Sequence, residues 1–315
     1  MGIDLHAHLW SERYLDLLAQ GGKTGIEVGR VPAADVGEPA MSARLALMDS
    51  AGVQRQVLSV TPQSPHLADE TAAVAAARFA NDLYAEVTGR RPDRFSAFAA
   101  LPLPHVDATL AELARALDEL GMAGAAITTD ILGRSAADPL FEPLFAELDR
   151  RHATLFIHPA GRGVESPLIN DFGLTWLIGA PIEDTVSVLH LIRAGVPVRY
   201  PNVRIVNAHL GGALPMVIQR LDNKYGRDLP DLAELPSVTA RRMWYDTVSH
   251  NHPPALRAAA ESLGADRLVL GTDFPYLDED YYRAAVSYVR DSGLGADAAA
   301  HILVHAPARV LGLKD

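Results

Sequence analysis

Cysteine is absent from the 315 residues. That excludes a disulfide scaffold, thiolate metal sites and a cysteine nucleophile. Lysine is almost absent too: Lys23, Lys224 and Lys314 are the only three, so the positive charge is nearly all arginine, the side chain suited to bidentate contact with carboxylates. The 28 basic residues face 39 acidic ones, leave a net charge of -11, and are spread singly. No basic stripe exists, so nucleic acid is not an expected partner. No apolar run approaches the roughly 18 residues of a membrane span, and the opening MGIDLHAHLW enters a strand pattern without a basic leader. The expectation is a soluble, cytoplasmic protein with no membrane partner.

What the sequence does have is a rhythm. Short apolar or β-branched runs fall at 2–8, 54–60, 94–101, 123–129, 153–159, 203–209, 242–248 and 267–273, and helical patterns stand between several of them. The clearest is ATLAELARALDELG, where Leu110, Leu113, Ala114, Leu117 and Leu120 form one stripe and Gly121 gives a stop signal. Eight near-continuous apolar strands alternating with helices predict a parallel sheet closed into a (β/α)₈ TIM barrel, read as a single domain over 1–315. Two stretches exceed ordinary connections, 21–39 after strand one and 160–181 after strand five, and are read as long inserted loops. The second carries Phe172, Leu174, Trp176 and Leu177, enough apolar surface to cover the barrel rim or pack on another subunit.

The polar residues at the strand ends are the informative ones. His6 and His8 end strand one, His158 strand five, His209 strand six and Asp273 strand eight. In a barrel the C-terminal strand ends converge on one mouth, so these five side chains meet although they span most of the chain. The H-x-H spacing turns both imidazoles to the same side of a strand, where one metal can take both. Imidazole and carboxylate ligands suit Zn²⁺ with an open position for water or substrate; Mn²⁺ and Fe²⁺ share that chemistry. His66, His105, His152, His190, His301 and His305 lie away from strand ends and read as structural or surface residues.

IDLHAH, FIHPAG, NAHLGGALP, YDT and VLGTDFP, in that order, resemble the amidohydrolase superfamily. More narrowly they resemble its amidohydrolase-related branch of aminocarboxymuconate semialdehyde and γ-resorcylate-type decarboxylases and some lactone hydrolases. The resemblance covers essentially the whole chain and implies a distorted (β/α)₈ barrel with one divalent metal. It assigns His6, His8, His158 and Asp273 as ligands and His209 as the catalytic histidine, with Asp273 sharing the proton chemistry. Binuclear members carry a carboxylated lysine at the end of strand four. Here that strand reads AGAAITTD, which argues for a single metal. The chain departs from relatives at Leu210, where glycine is common, and at Ala160, where a large aromatic is common; both positions bear on pocket shape.

Three arginines point to an acidic substrate. Arg44 stands about 65° from the centre of the Met41–Leu45–Met48 stripe, where a cation needs an anion, and its position resembles a substrate-carboxylate arginine of the branch. Arg220 lies roughly 110° off the Leu214–Val217–Ile218–Leu221 stripe; the resemblance implies that it enters the active site of a neighbouring subunit, making the protein a homodimer. Arg162, just past His158, is a third candidate for a carboxylate. The function implied is a mononuclear metal-dependent decarboxylase of a small unsaturated or aromatic carboxylic acid. The alternative is a lactone or amide hydrolase using the same residues.

Overall fold

The computed structural model describes residues 1–313; Lys314, noted above, lies outside them. Eight parallel strands follow one another in chain order: β1 (Gly2–His8), β2 (Val53–Ser59), β3 (Phe95–Ala100), β4 (Gly124–Thr128), β5 (Thr154–His158), β6 (Arg204–Asn207), β7 (Trp244–Asp246) and β8 (Leu268–Val269). The last strand returns to the first. Leu5 N–H donates to Leu270 O at 2.9 Å, His8 N–H to Phe274 O at 2.7 Å, and Ala7 bridges Phe274, which brings the sheet round to a barrel. Each predicted run overlaps one observed strand.

The near-continuous apolar character of the strands follows from burial on both faces. Inside the barrel, Leu5, Val57, Phe98, Ala126, Phe156, Val206, Trp244 and Val269 contribute one side chain from each strand to a single cluster, with Ala306 and Val310 packed against it. Outside, a larger cluster joins the sheet to the helices, among them Met48, Tyr84, Leu113 and Leu191.

Two helices bury a different face from the one their leucines suggest. In helix Val106–Asp118 the fully buried positions are Thr109, Glu112, Leu113 and Ala116, while Leu110 and Leu117 are half-buried. The reason is polar: Glu112 accepts from Asn81 Nδ2 at 2.7 Å and Arg115 at 2.7 Å, so the helix turns its carboxylate inward to a paired site. In helix Glu38–Ala51 the buried face is Met41, Arg44, Leu47, Met48 and Ala51, with Arg44 inside it and Leu45 half-buried.

The stretches 21–39 and 160–181 are not open chain. The first winds into short turns at Ile26–Gly29 and Pro32–Ala34, and the second into Gly163–Glu165, Pro167–Asn170 and Thr175–Gly179. Among the described residues no helix is long and apolar enough to cross a membrane.

Candidate active site

The barrel brings His6, His8, His158 and Asp273 to one point, each offering a ligand atom within 4.8 Å of the others. His6 Nε2 is 3.1 Å from His8 Nε2, and Asp273 Oδ1 is 3.2 Å from the first and 3.0 Å from the second. Four-coordinate ligands about 2.1 Å from a metal stand roughly 3.4 Å apart, close to these separations.

The far side of each imidazole is engaged, which fixes its orientation. His6 Nδ1–H donates to Asp246 Oδ2 at 2.7 Å, His158 Nδ1–H to Pro159 O at 2.8 Å, and His8 Nδ1 lies 3.4 Å from Ser59 Oγ. Every Nε2 therefore faces the common point. His158 Nε2 is buried there without a hydrogen-bond partner. Burial pushes the His158 imidazole well below its usual pKa and that of His8 down to about 4, so both keep Nε2 lone pairs. Burial also opposes charge on His6, but Asp246 and Asp273 outweigh it and raise its pKa to about 9. A set of buried lone pairs aimed at one point, inside a field that favours positive charge, fits a divalent cation.

His209 stands beside this set. Its Nδ1–H donates to Asp184 Oδ2 at 2.9 Å and its Nε2 lies 3.9 Å from Asp273 Oδ2. Burial works against the imidazolium, yet Asp184 and Asp273 hold the His209 pKa well above its ordinary value. Burial raises Asp184 to about 7.

Backbone conformation presents these groups. His209, Leu210 and Asp273 take φ of 51°, 58° and 60°, left-handed values uncommon outside glycine. Asp246 Oδ1 holds the first of them by accepting His209 N–H at 3.0 Å. The left-handed φ of Leu210 is one that glycine, the residue the family resemblance leads one to expect there, adopts without strain. Gly271 leaves space: a Cβ there would come within 2.9 Å of both Asp246 Cβ and His6 Cβ.

A cavity of about 550 Å³ opens above the cluster, with His158, His209 and Asp273 in its floor and Trp176, Leu177, Val248 and Tyr276 in its walls. Among the described residues no arginine or lysine lines it. Arg44 is elsewhere: buried, it donates to Gln56 Oε1 (3.1 Å), His8 O (2.7 Å) and Ala33 O (3.2 Å), and its guanidinium lies 4.5 Å from the Phe274 ring centroid. The cation expected at a substrate carboxylate is spent on backbone carbonyls that secure a ligand strand. Arg220 is exposed on helix Leu214–Asp228 and does not reach the cavity of its own chain. Arg162 pairs with Glu165 and lines a neighbouring cavity.

Several participants carried no readable signal. Asp246 closes a strand in the quoted YDT, yet its bond to His6 appears only in three dimensions. Asp184 and Glu183 sit on helix Ala180–Arg193 with no periodic cue. The buried Glu183 carboxylate accepts N–H bonds from Ala160 (2.7 Å), Arg162 (2.5 Å) and Gly163 (2.6 Å), and so holds the segment that follows His158. Asp4 accepts from His6 N–H (3.1 Å), Thr272 Oγ1 (2.7 Å) and Gln56 Nε2 (2.9 Å), tying β1 to the chain beyond β8; burial raises its pKa to about 6.

An eight-stranded parallel barrel with a His/His/His/Asp cluster at its C-terminal mouth defines a class of barrel built to hold a metal. The sequence profile of the amidohydrolase family matches residues 3–313, and the chain belongs to that family. It is 32% identical over 259 residues to γ-resorcylate decarboxylase of Rhizobium radiobacter, covering 76% of this chain and 77% of that protein. It is 31% identical over 230 residues to 2-amino-3-carboxymuconate-6-semialdehyde decarboxylase of Dictyostelium discoideum, covering 71% of this chain and 63% of that one. The crystal structure of 5-carboxyvanillate decarboxylase from Sphingomonas paucimobilis superposes with a TM-score of 0.87 at 26% identity, over 99% of both chains.

Proposed function

We propose that this protein is a mononuclear metal-dependent carboxy-lyase acting on a small aromatic or unsaturated carboxylic acid. The observation that carries the reading is the convergence of His6, His8, His158 and Asp273 beside the His209–Asp184 pair, at the floor of a largely apolar cavity. The similarity to decarboxylases of such acids supports it. A divalent cation held by the four ligands, zinc first and manganese second, would withdraw electrons through a substrate oxygen next to the carboxylate.

The remaining steps belong to the chain's own residues. The bond between the carboxylate and its carbon breaks, CO₂ leaves, and the electron pair stays on that carbon. His209 holds a proton at Nε2, favoured by Asp184 across the ring, and in this reading delivers it to the carbon, with Asp273, 3.9 Å away, sharing the proton chemistry. Trp176, Leu177 and Tyr276 wall the cavity in which the carboxylate would lie.

Among the described residues no arginine or lysine lines the cavity to meet a second acidic group. A second copy supplies one in this reading. Arg220 lies one helical turn from Met216, which is 79% exposed, and Phe172 and Leu177, 72% and 77% exposed, lie on the segment that covers the barrel mouth. These apolar residues support a homodimer that carries Arg220 into the neighbouring cavity.

The test is CO₂ release across a panel of 2-hydroxy- and 2-aminobenzoic and muconic acids, with elemental analysis of the purified protein. About one metal per chain with CO₂ evolved, and solvent hydrogen on the product carbon, is the expected result. His209→Asn should lower turnover at least about 100-fold while the metal stays bound. Solvent oxygen entering the product of a lactone or amide, without CO₂ from any acid, would replace this reading with hydrolysis.

A further inference from the structure

A second cavity, of about 690 Å³, opens beside the first, and Val28 and Trp176 line both. Its polar wall comes from the segment after β2, the end of β4 and the 21–28 stretch, which bring together Gln63, His66, Thr128 and Lys23. Nothing in the chemistry proposed above uses these residues.

The hydrogen bonds of this wall can be followed one by one. Thr128 Oγ1–H donates to Asp130 O at 2.7 Å, so the same oxygen accepts from His66 Nδ1–H at 3.0 Å. His66 is 4% exposed, and burial, with Lys23 nearby, keeps its ring neutral. Its Nε2 is therefore an acceptor, and it has no partner. Gln63, 2% exposed, likewise has an unpartnered Oε1. Lys23 Nζ donates to Ser64 O at 3.0 Å and keeps further N–H donors. The other charges of the lining are engaged: Arg162 with Glu165, Asp130 with Gly133 N–H at 3.0 Å, and Glu27 with Arg30 at 3.5 Å.

Two side chains with buried acceptors that lack donors thus line one cavity with a lysine that makes no ion pair among the described residues, Asp130 acting on it only at longer range. A plain anion would satisfy Lys23 and leave both acceptors unpaired; a neutral alcohol would pair one acceptor and leave Lys23 without an anion. We propose that this cavity is a second small-molecule site, taking a carboxylic acid that bears a hydroxyl donor, with the carboxylate on Lys23 and the hydroxyl donating its one proton to His66 Nε2. The volume accommodates a single substituted ring. This site goes beyond the metal cavity and does not depend on how that cavity is read.

The test is calorimetric titration of the metal-loaded protein with 4-hydroxybenzoate, and with benzoate as the analogue lacking the hydroxyl. At this site 4-hydroxybenzoate should bind one equivalent per chain, in addition to any binding at the metal. Benzoate should bind there about tenfold or more weakly, because it leaves the buried His66 Nε2 unpaired. Lys23→Met and His66→Phe should each weaken that event about tenfold or more, leaving metal content and the other event unchanged. The event should persist after chelation, so a failure of the metal reading leaves this test intact. Equal affinity for the two acids in the wild-type protein, no event beyond one at the metal, or unchanged binding in both variants would overturn the proposal. The comparison of the two acids needs no variant, and so stands even if His66→Phe does not fold.

Discussion

At the scale of single residues, the candidate site is governed by groups that orient other groups. Asp246 is the clearest case: one oxygen fixes the His6 ring, and the other holds the backbone of His209. Replacing it with Asn keeps the shape and removes the charge that would support His6 as a ligand. Asp246→Asn should weaken metal binding about 10- to 100-fold, read by competition with a chromogenic chelator. Unchanged affinity would show that ring orientation, not carboxylate charge, is what His6 needs. Arg44 teaches a related point. Its identity suggested a substrate contact, but a buried guanidinium goes to whatever acceptors surround it, and here those are Gln56 and two carbonyls, one of them belonging to His8. The ligand-type residues were legible because a histidine or aspartate at a strand end has few places to point. The residues that orient them were not, because a carboxylate's partner is set by which strands and helices become neighbours.

At the scale of elements, the sharpest constraint is where the turn after His209 meets the start of helix Ala180–Arg193. Gly212 takes a φ of 65°, and a Cβ there would sit 1.8 Å from Pro181 O and 2.6 Å from Thr185 Oγ1. Gly212→Ala must push the turn away from the helix that carries Asp184, so it should cost about 2–4 kcal/mol in urea unfolding and lower turnover as well. Loss of stability without loss of turnover would separate this contact from the positioning of the His209–Asp184 pair. All eight strands were readable because a strand buried on both faces has to be apolar along its length. Helix faces were less so. Glu112 and Arg44 point inward against the hydrophobic stripe, since a paired or hydrogen-bonded charge can occupy a buried position that composition alone assigns to leucine.

At the scale of the whole molecule, the proposed metal ligands come from β1, β5 and the turn after β8, and so lie across the seam where the barrel closes. Removing the metal should therefore cost stability as well as activity. Dialysis against a strong chelator should lower the Tm by on the order of 5 °C and abolish CO₂ release, with both restored by Zn²⁺ or Mn²⁺. A Tm indifferent to chelation would argue against a metal at that seam. If Arg220 acts across a dimer, Met216→Asp should shift sedimentation to the monomer and lower activity while the metal content holds. Mixing it with active-site-dead His209→Asn chains should then give no more activity than the parts.

The sequence alone determined the barrel and the types of residue at its mouth, because burial on both faces imposes an apolar strand and the chain direction puts every strand's end on the same rim. Tertiary structure alone decided the rest: that Asp246 and Asp184 stand behind the histidines, that Arg44 turns inward to backbone oxygens, and that Lys23, Gln63 and His66 share a cavity. These depend on contacts between segments far apart in the chain, and hydrogen-bond partners at that separation follow from packing geometry, which no local pattern encodes.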